Sequence, residues 1–296
     1  MAAKILVLGR SGQVARELGK LGAPEGCELV FAGRDRFDLL SGADPGPMLD
    51  EARPAAVINA AAYTAVDKAE SEPEAAFALN RDAPAAWARA CAAARIPFVH
   101  FSTDYVFDGS KDSPYVETDP VNPTGVYGAS KAAGEEAVTA AGGSSIILRT
   151  SWVYSAFGAN FLKTMLRVAG TRDEIAVVDD QLGRPTWAED CARGALRAVR
   201  ALQHREITGP EILHLSGAGD ATWADFAEAI FDKSAVHGGP SAQVKRITTA
   251  EYPLPARRPA NSRLDCARMT NALDFPMRPW RQSLAACFDE LETATT

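Results

Sequence analysis

The sequence predicts an α/β fold in which a doubly wound parallel sheet is followed by a smaller C-terminal lobe. Continuous apolar runs, typical of strands that are buried on both faces, alternate with helical patterns over the first 150 residues. A glycine-rich turn joins the first of these strands to the first helix. The length of 296 residues suits one large domain with a smaller lobe.

Five apolar runs in the first half of the chain are predicted to be the strands of this sheet. They cover residues 4–8, 28–32, 55–59, 97–102 and 145–148. Between these strands, helices are predicted to begin near Val14, at Pro73 and at Tyr127, and the second of them runs to about residue 94. The ring of Pro73 suits the first turn of a helix.

The second half of the chain carries shorter elements. Helices are predicted over 160–168, 189–202, 222–231 and 279–292, and strands over 175–178 and 211–215. Thr222 is predicted to cap the third of these helices. Residues 1–150 are therefore assigned mainly to the sheet domain and residues 151–296 mainly to the smaller lobe, with some segments returning to the sheet domain.

The composition, with 47% hydrophobic and 23% charged residues, is that of an ordinary globular protein. The net charge of −7 argues against a nucleic-acid surface, which needs a dense basic patch. The longest apolar runs are too short for a membrane span or a signal peptide. The cysteines have no C-x-x-C spacing and the histidines no metal-ligand spacing, so the thiols are interpreted as reduced and buried. We therefore expect a cytoplasmic protein that binds neither nucleic acid nor membranes.

The turn after the first strand has the context of a dinucleotide phosphate loop in a Rossmann-type sheet. Gly9 permits a tight turn, Gly12 lets backbone N–H groups approach a pyrophosphate, and Ala15 is small enough for close packing of helix on strand. The helix N-terminus then faces the anion. The spacing is G-x-x-G-x-x-A rather than G-x-G-x-x-G, so a plain turn between a strand and a helix remains an alternative.

The end of the second strand bears on the choice of cofactor. An acidic residue at this position of a dinucleotide-binding sheet binds the ribose 2′-hydroxyl of NAD, whereas an arginine suits the 2′-phosphate of NADP. Here the strand ends at Gly33-Arg34 with Asp35 next, which favours NADPH and leaves NADH open. Asp38 follows in a loop that can line the adenine pocket. The alternative is that Arg34 is an ordinary solvated side chain.

Tyr127 and Lys131 form the candidate catalytic pair. Residues four apart lie on the same face of a helix. A free phenol titrates at about pH 10, and a neighbouring ammonium lowers that pKa. Such a pair can transfer a proton to or from a carbonyl oxygen near neutral pH. The alternative is an amphipathic helix with an incidental lysine, because a motif this short needs its structural context to confirm it.

Thr103 follows the fourth strand. Ligands of open parallel sheets bind beyond the carboxyl ends of the strands, so the Thr103 hydroxyl is predicted to point into the ligand crevice. The alternative is a turn that the threonine caps.

These residues stand in motifs that resemble the extended short-chain dehydrogenase/reductases and, within them, the dTDP-4-dehydrorhamnose reductases. The Tyr–Lys pair and the glycine loop define only the superfamily, whereas TAVDKAE, RTSWVY and ARRPANSRL are more specific to the reductases. The similarity runs nearly end to end and is carried by Gly-Gln-Val at 12–14, NAAAYTAVDKAE at 59–70, STDYVFDG at 102–109, YGASKAAGE at 127–135, RTSWVY at 149–154, DDQLGRPT at 179–186 and ARRPANSRL at 256–264.

The resemblance implies a role for each matching position. Tyr127 is the proton donor, Lys131 lowers its pKa and holds the nicotinamide ribose, and Thr103 hydrogen-bonds the substrate carbonyl oxygen. Asp104 and Trp152, with Thr103, are implied to contact the sugar. Further contacts to the cofactor are implied for Gly12, Gln13, Val14, Asp38, Leu39, Ala62, Tyr63 and Thr64.

The reaction implied is reduction of the 4-keto group of a dTDP-linked deoxysugar, with hydride supplied by NAD(P)H. Because such a substrate carries a diphosphate and the chain is acidic overall, its binding site must be locally basic. Arg257, Arg258 and Arg263 cluster in a proline-rich segment and are candidate ligands, since arginine binds phosphate oxygens in a bidentate manner. The alternative is that some of these arginines pair with acidic residues of the lobe.

The resemblance also implies a homodimer with Mg²⁺ held by acidic residues at the dimer contact. Glu17, Glu189 and Glu290 occupy the matching positions, and three solvated surface glutamates are the alternative. Two other functions remain open: a nucleotide-sugar epimerase or dehydratase of the same superfamily, and a non-catalytic regulatory subunit that binds NADP. The presence of the threonine, the tyrosine and the lysine favours an enzyme.

Overall fold

The structure, a computed structural model, describes residues 2–293. Its strands in chain order are β1 (Ala3–Leu8), β2 (Cys27–Ala32), β3 (Ala56–Asn59), β4 (Phe98–Thr103), β5 (Ser145–Thr150), β6 (Val153–Tyr154), β7 (Glu174–Val178), β8 (Leu182–Gly183), β9 (Thr186–Trp187), β10 (Glu211–His214), β11 (Ala221–Thr222) and β12 (Gln243–Ile247). Its helices are α1 (Gln13–Leu21), α2 (Gly46–Ala52), α3 (Val66–Ala69), α4 (Pro73–Phe77), α5 (Ala83–Ala94), α6 (Val126–Ala140), α7 (Phe161–Ala169), α8 (Ala188–Gln203), α9 (Trp223–Val236), α10 (Ala267–Leu273) and α11 (Trp280–Thr293).

A parallel sheet organises the larger part of the chain. Within residues 2–293 it has six strands in the order β10-β5-β4-β3-β1-β2, and every neighbouring pair is parallel. The chain passes from β1 to β2 on one side and then to β3 on the other, so the strand order reverses between β1 and β3. Open α/β sheets bind their ligands at such a reversal. The predicted α/β class is confirmed.

Helices cover both faces of the sheet. On one face, α1 and α8 pack over the side chains of Ile5 and Val7, while on the other α5 and α6 pack over Leu6 and Leu8. These four consecutive residues of β1 are almost completely buried. Burial on both faces explains why the sheet strands read as continuous apolar runs, and the five strands predicted in the first half agree with the structure to within two residues.

The predicted helix over 73–94 is present in the structure and contains an irregular turn. A π-helical turn at Ala78–Asp82 separates α4 from α5. Pro84 has no backbone N–H, so it cannot donate to the carbonyl of Asn80 four residues earlier. A Cβ added at Gly134 of α6 would lie 2.1 Å from that carbonyl oxygen, which shows how closely α6 packs on the interrupted turn. The helix thus runs over 73–94 as predicted, and only the π-helical turn within it was not predicted.

A second apolar cluster lies in the C-terminal half. It joins α7, α9 and α11 to β7, and β12 pairs with β7 in parallel. Helix α9 begins at a capping box in which Thr222 and Asp225 bond each other's backbone N–H groups, as predicted for Thr222. Segments α8 and β10 pack with the large sheet instead. Among the helices of the described residues, none is both long and apolar enough to cross a membrane.

Candidate active site

A cleft of about 1170 Å³ lies where the sheet strands end. The segments that follow β1 to β5 all contribute to its lining, so it occupies the edge predicted to bind ligands. The predicted site residues that line it are Gly9, Gly12, Gln13, Val14, Arg34, Asp38, Leu39, Ala62, Thr64, Thr103, Asp104, Tyr127, Lys131 and Trp152. The other predicted residues lie outside this lining: Tyr63, Arg257, Arg258, Arg263 and the glutamates Glu17, Glu189 and Glu290.

The loop between β1 and α1 presents a helix N-terminus to the cleft. Gly9 has a φ of 97°, a conformation that favours glycine, and a Cβ added there would lie 3.3 Å from the Cβ of Ala61. Gly12 directly precedes α1, so the unpaired backbone N–H groups of the first helical turn are available to an anion. Gln13 accepts a hydrogen bond from Asn160 Nδ2 at 2.9 Å, which ties the loop to the C-terminal half.

Three arginines occur among the lining residues, and sequence analysis identified only Arg34. Arg10 lies in the phosphate loop and Arg16 in the first half of α1. The Arg10 guanidinium is 3.8 Å from an Asp35 carboxylate oxygen, and the Arg16 guanidinium carbon lies 4.1 Å from the ring centroid of Phe157. For Arg10, the signal that could have identified it was its position directly after Gly9. The three arginines share this end of the cleft with Asp35 and Asp38.

Tyr127 and Thr103 meet at the inner part of the cleft. Tyr127 is in the first turn of α6, and Thr103 ends β4. Burial raises the pKa of the Tyr127 phenol well above its ordinary value, and hydrogen bonding with Thr103 opposes that effect. The direction is opposite to the one expected from the spacing of Tyr127 and Lys131, because burial dominates. The phenol is therefore protonated at neutral pH, which is the state that a proton donor requires.

Lys131 is held below Tyr127 by the end of β4. Its Nζ donates to the Phe101 carbonyl oxygen at 2.5 Å and lies 3.4 Å from His100 Nε2. Burial lowers the pKa of Lys131 to about 8, and the charge of Glu135 opposes this. His100 is completely buried, and burial and the Lys131 charge together lower its pKa well below the ordinary value. Neutral His100 is thus a contact of the candidate catalytic lysine that sequence analysis missed. Its signal was a polar residue inside an apolar strand.

Asp104 is the acidic group of this part of the cleft. Its Oδ1 accepts a hydrogen bond from the Thr103 hydroxyl at 2.8 Å. Burial raises the pKa of Asp104 to about 6, and hydrogen bonds with Thr103 and Ser262 act in the opposite direction. Near neutral pH this carboxyl can therefore exist in either protonation state. The ionised carboxylate can accept a hydrogen bond from a ligand hydroxyl, and the protonated carboxyl can donate one to it.

Trp152 contributes an aromatic face whose position is strongly constrained. Its backbone adopts a φ of 49°, which is unusual for a bulky residue and costs conformational energy. Its indole stacks on Trp223 with ring centroids 3.6 Å apart and an interplanar angle of 9°. The Trp223 Nε1 group donates to Gln181 Oε1 at 3.2 Å, which fixes the second indole. Trp223 was not identified from the sequence, because its contact with Trp152 joins distant segments.

Tyr63 points away from the cleft while its neighbours Ala62 and Thr64 line it. The Tyr63 phenol donates to Glu72 Oε2 at 2.7 Å. Its backbone N–H donates to Asn80 Oδ1 at 2.9 Å, and Asn80 Nδ2 donates to its carbonyl at 3.0 Å. Tyr63 thus fixes the loop that supplies the lining residues on either side.

Of the three arginines of the proline-rich segment, Arg258 reaches the margin of the cleft. Arg258 is 2.5 Å from an Asp67 carboxylate oxygen and donates to the Tyr105 hydroxyl at 2.9 Å. Since Tyr105 lines the cleft, Arg258 reaches the cleft wall through it. Arg257 is exposed, whereas Arg263 is mostly buried and forms an ion pair within the C-terminal half. The structure therefore does not bring the three arginines together into one site.

The carboxylates of Glu17, Glu189 and Glu290 are brought together away from the cleft. One oxygen from each lies within 4.8 Å of the others, a spacing that a cation could bridge. The Lys20 ammonium, however, already lies among them, at 3.2, 2.8 and 2.6 Å from an oxygen of Glu17, Glu189 and Glu290 respectively. A Mg²⁺ ion binds carboxylate oxygens at about 2.0–2.1 Å and could not share this position with the ammonium. With Lys20 in place, these residues do not fit the metal that the resemblance implied.

Comparison with known proteins gives full-length matches. Residues 3–293 match the family described as RmlD substrate binding domain. The dTDP-4-dehydrorhamnose reductase of Sinorhizobium fredii is 45% identical over 283 residues, which are 95% of this chain and 95% of that protein.

Solved structures match equally completely. The crystal structure of a dTDP-4-dehydrorhamnose reductase from Clostridium acetobutylicum has a TM-score of 0.90 and 35% identity, and the match covers 98% of this chain and 99% of that one. The reductase from Bacillus anthracis, solved in complex with NADP, has a TM-score of 0.90 and 31% identity over 98% of this chain and 100% of that one.

Proposed function

The chain belongs to the RmlD substrate binding domain family, and we propose that it is an oxidoreductase that uses NADPH to reduce the 4-keto group of dTDP-4-dehydro-β-L-rhamnose to dTDP-L-rhamnose. The observation that carries the proposal is that one cleft is lined both by a phosphate loop and by the hydroxyl groups of Thr103 and Tyr127. The loop suits a dinucleotide, and the pair suits a carbonyl oxygen.

The lining fits a nicotinamide dinucleotide. The backbone at Gly9 and Gly12 leaves room for a pyrophosphate beside the N-terminus of α1, and Lys131 lies where it can hold the nicotinamide ribose. Arg34 lines the cleft after β2 and would bind a 2′-phosphate, which is why we propose NADPH rather than NADH. Asp35, the acidic residue that could bind a 2′-hydroxyl, is close to Arg10 instead.

The chain's own residues account for the proton transfer. The cofactor supplies hydride to C4 of the sugar, and negative charge then develops on the carbonyl oxygen. The Thr103 hydroxyl, which donates to Asp104 Oδ1 in this structure, would turn to donate to that oxygen, and Tyr127 delivers the proton as the general acid. The Lys131 ammonium, held against the end of β4, adds positive charge beside the ribose and favours the phenolate that remains.

The sugar nucleotide is proposed to lie between Asp104, Trp152 and the arginine segment. Asp104 would hydrogen-bond a sugar hydroxyl, and the constrained indole of Trp152 would set the orientation of the sugar ring. We propose Arg257 and Arg258 as ligands of the diphosphate. Arg258 is already ordered by Asp67, so less conformational entropy is lost when a phosphate binds.

The test is turnover with the defined substrate. Purified protein is mixed with NADPH and dTDP-4-dehydro-β-L-rhamnose, loss of the NADPH absorbance is followed, and the configuration at C4 of the product is determined by NMR. Stoichiometric oxidation with formation of dTDP-L-rhamnose supports the proposal. An epimerase would change the sugar without net NADPH consumption, and a regulatory subunit would bind NADPH with no turnover. The homodimer and the cytoplasmic location remain predictions.

A further inference from the structure

The cluster of Glu17, Glu189 and Glu290 has its own cation in Lys20. An ammonium group has three N–H donors, and three carboxylates surround this one. Lys20 Nζ donates to Glu189 Oε2 at 2.8 Å and to Glu290 Oε2 at 2.6 Å, which are lengths of charge-assisted hydrogen bonds. It lies 3.2 Å from Glu17 Oε2 and forms an ion pair with it. The ammonium is therefore in direct contact with all three carboxylates.

Other contacts hold the ammonium in this position. Lys20 Nζ lies 5.1 Å from the ring centroid of Trp187, within the range of a cation–π interaction. The Glu17 side chain is completely buried and is fixed by Ser155, whose hydroxyl donates to its other oxygen at 2.6 Å. An exposed lysine would ordinarily sample many rotamers, but here a buried acceptor and an aromatic face select one of them.

The remaining charge of the cluster is also balanced from within the chain. Glu189 accepts a hydrogen bond from Arg193 at 2.9 Å, and Arg278 lies 4.0 Å from the same carboxylate oxygen. Lys20 and these two arginines therefore supply the positive charge that a bound divalent ion would otherwise supply to the carboxylates. An added Mg²⁺ ion would have to displace the ammonium and would meet the arginines at close range.

We propose that Lys20 is the resident cation of this cluster, so that the protein joins α1, α8 and α11 through an ammonium and does not bind a divalent metal there. The three carboxylates belong to those three helices, respectively. This is a different assignment of the cluster from the one that the family resemblance implied. It does not depend on the proposed reaction, because the cluster lies outside the cleft.

Thermal unfolding of the full chain tests the proposal. The unmutated protein should have the same Tm in EDTA and in millimolar MgCl₂ at matched ionic strength, and calorimetric titration with MgCl₂ should give no saturable heat. Lys20→Met removes the ammonium but keeps a long apolar stem. In EDTA its Tm should fall by roughly 5–10 °C, because three neighbouring carboxylates lose the cation that they share and repel one another. Millimolar MgCl₂ should then restore much of the loss, since the vacated oxygens can bind the ion.

Lys68→Met is the matched control. Lys68 forms an exposed ion pair with Glu72 one helical turn away, so its replacement should change Tm little and create no response to Mg²⁺. The proposal is overturned if Mg²⁺ saturably raises the Tm of the unmutated protein at matched ionic strength. It is also overturned if Lys20→Met is as stable as the unmutated protein in EDTA. Should Lys20→Met fail to fold in EDTA, the titration of the unmutated protein decides the question alone.

Discussion

Replacement of Gly183 by alanine should disturb the cleft through Trp152. A Cβ at position 183 would lie 2.2 Å from Cε2 and 2.4 Å from Cζ2 of the Trp152 indole, whereas ordinary contacts are 3.4–4 Å. The indole must therefore move by about 1 Å or more. It cannot move freely, because Trp223 covers one of its faces at a centroid distance of 3.6 Å.

The expected effect follows from that displacement. Misplacing a group that orients the substrate by about 1 Å can cost roughly 10²-fold in rate. We therefore expect kcat/KM for the sugar nucleotide to fall about 10²-fold, equivalent to about 2.7 kcal/mol of transition-state stabilisation. NADPH binding should be unchanged, because Gly183 does not belong to the cleft lining. Steady-state kinetics on the sugar nucleotide and fluorescence titration with NADPH measure the two quantities separately.

Gly170→Ala provides a matched control. Gly170 has an ordinary helical conformation, with a φ of −67°, and a Cβ there would lie 3.5 Å from the nearest atom. This variant should have the kcat/KM of the unmutated protein. If Gly183→Ala also kept that value, within about twofold, the position of the Trp152 indole would not control turnover and the proposed sugar contact would be refuted.

Four further outcomes are expected. Tyr127→Phe should lower kcat about 10²- to 10⁴-fold while NADPH binding persists. The control Tyr252→Phe, at an exposed position, should have near-normal turnover. Near-normal turnover of Tyr127→Phe as well would refute its assignment as proton donor. Arg34→Ala should abolish a preference for NADPH over NADH of about 1.5–3 kcal/mol, and equal affinities in the unmutated protein would contradict this. Arg258→Ala should raise KM for the sugar nucleotide more than it lowers kcat, and an unchanged KM would place the diphosphate elsewhere. Folding raises the pKa of Asp104 from 3.8 to about 6, so the protonated carboxyl contributes up to about 3 kcal/mol to the free energy of unfolding. This contribution is fully present below pH 3.8 and is lost as pH rises through 6. In urea unfolding, the free energy of unfolding of Asp104→Asn should therefore fall less steeply between these pH values than that of the unmutated protein.

The sheet was predictable from the sequence because its strands are buried on both faces. Residues 5–8 of β1 show the signal in its simplest form, an unbroken apolar run. The π-helical turn between α4 and α5 was not predictable from helical periodicity, because a proline inside a helical pattern does not by itself specify which kind of turn forms there. What decides the geometry is the packing of Gly134 on the Asn80 carbonyl, a contact between segments more than 50 residues apart.

The candidate site divides in the same way. Three residues that line the cleft carry local signals in the sequence. Gly9 is a turn residue after a strand, Thr103 has a hydroxyl at the end of a strand, and Tyr127 is four residues from Lys131 on a helix. His100 and Trp223 act through other side chains, so nothing in their local sequence states what they touch. The resemblance likewise identified the three glutamates as a cluster but not the position of Lys20 among them, because that contact also joins distant segments of the chain.

The sixth strand of the sheet has a consequence for folding during synthesis. β10 covers the edge of β5, yet 60 residues, 151–210, separate the two strands in the chain. Until β10 has left the ribosome, the fully buried strand β5 would present an open row of backbone groups and an apolar edge. Helix α8, which precedes β10, also has to arrive before one face of the sheet is covered. The dinucleotide half of the protein is therefore completed by late-synthesised sequence, so a nascent chain that pauses before β10 carries an edge prone to intermolecular pairing.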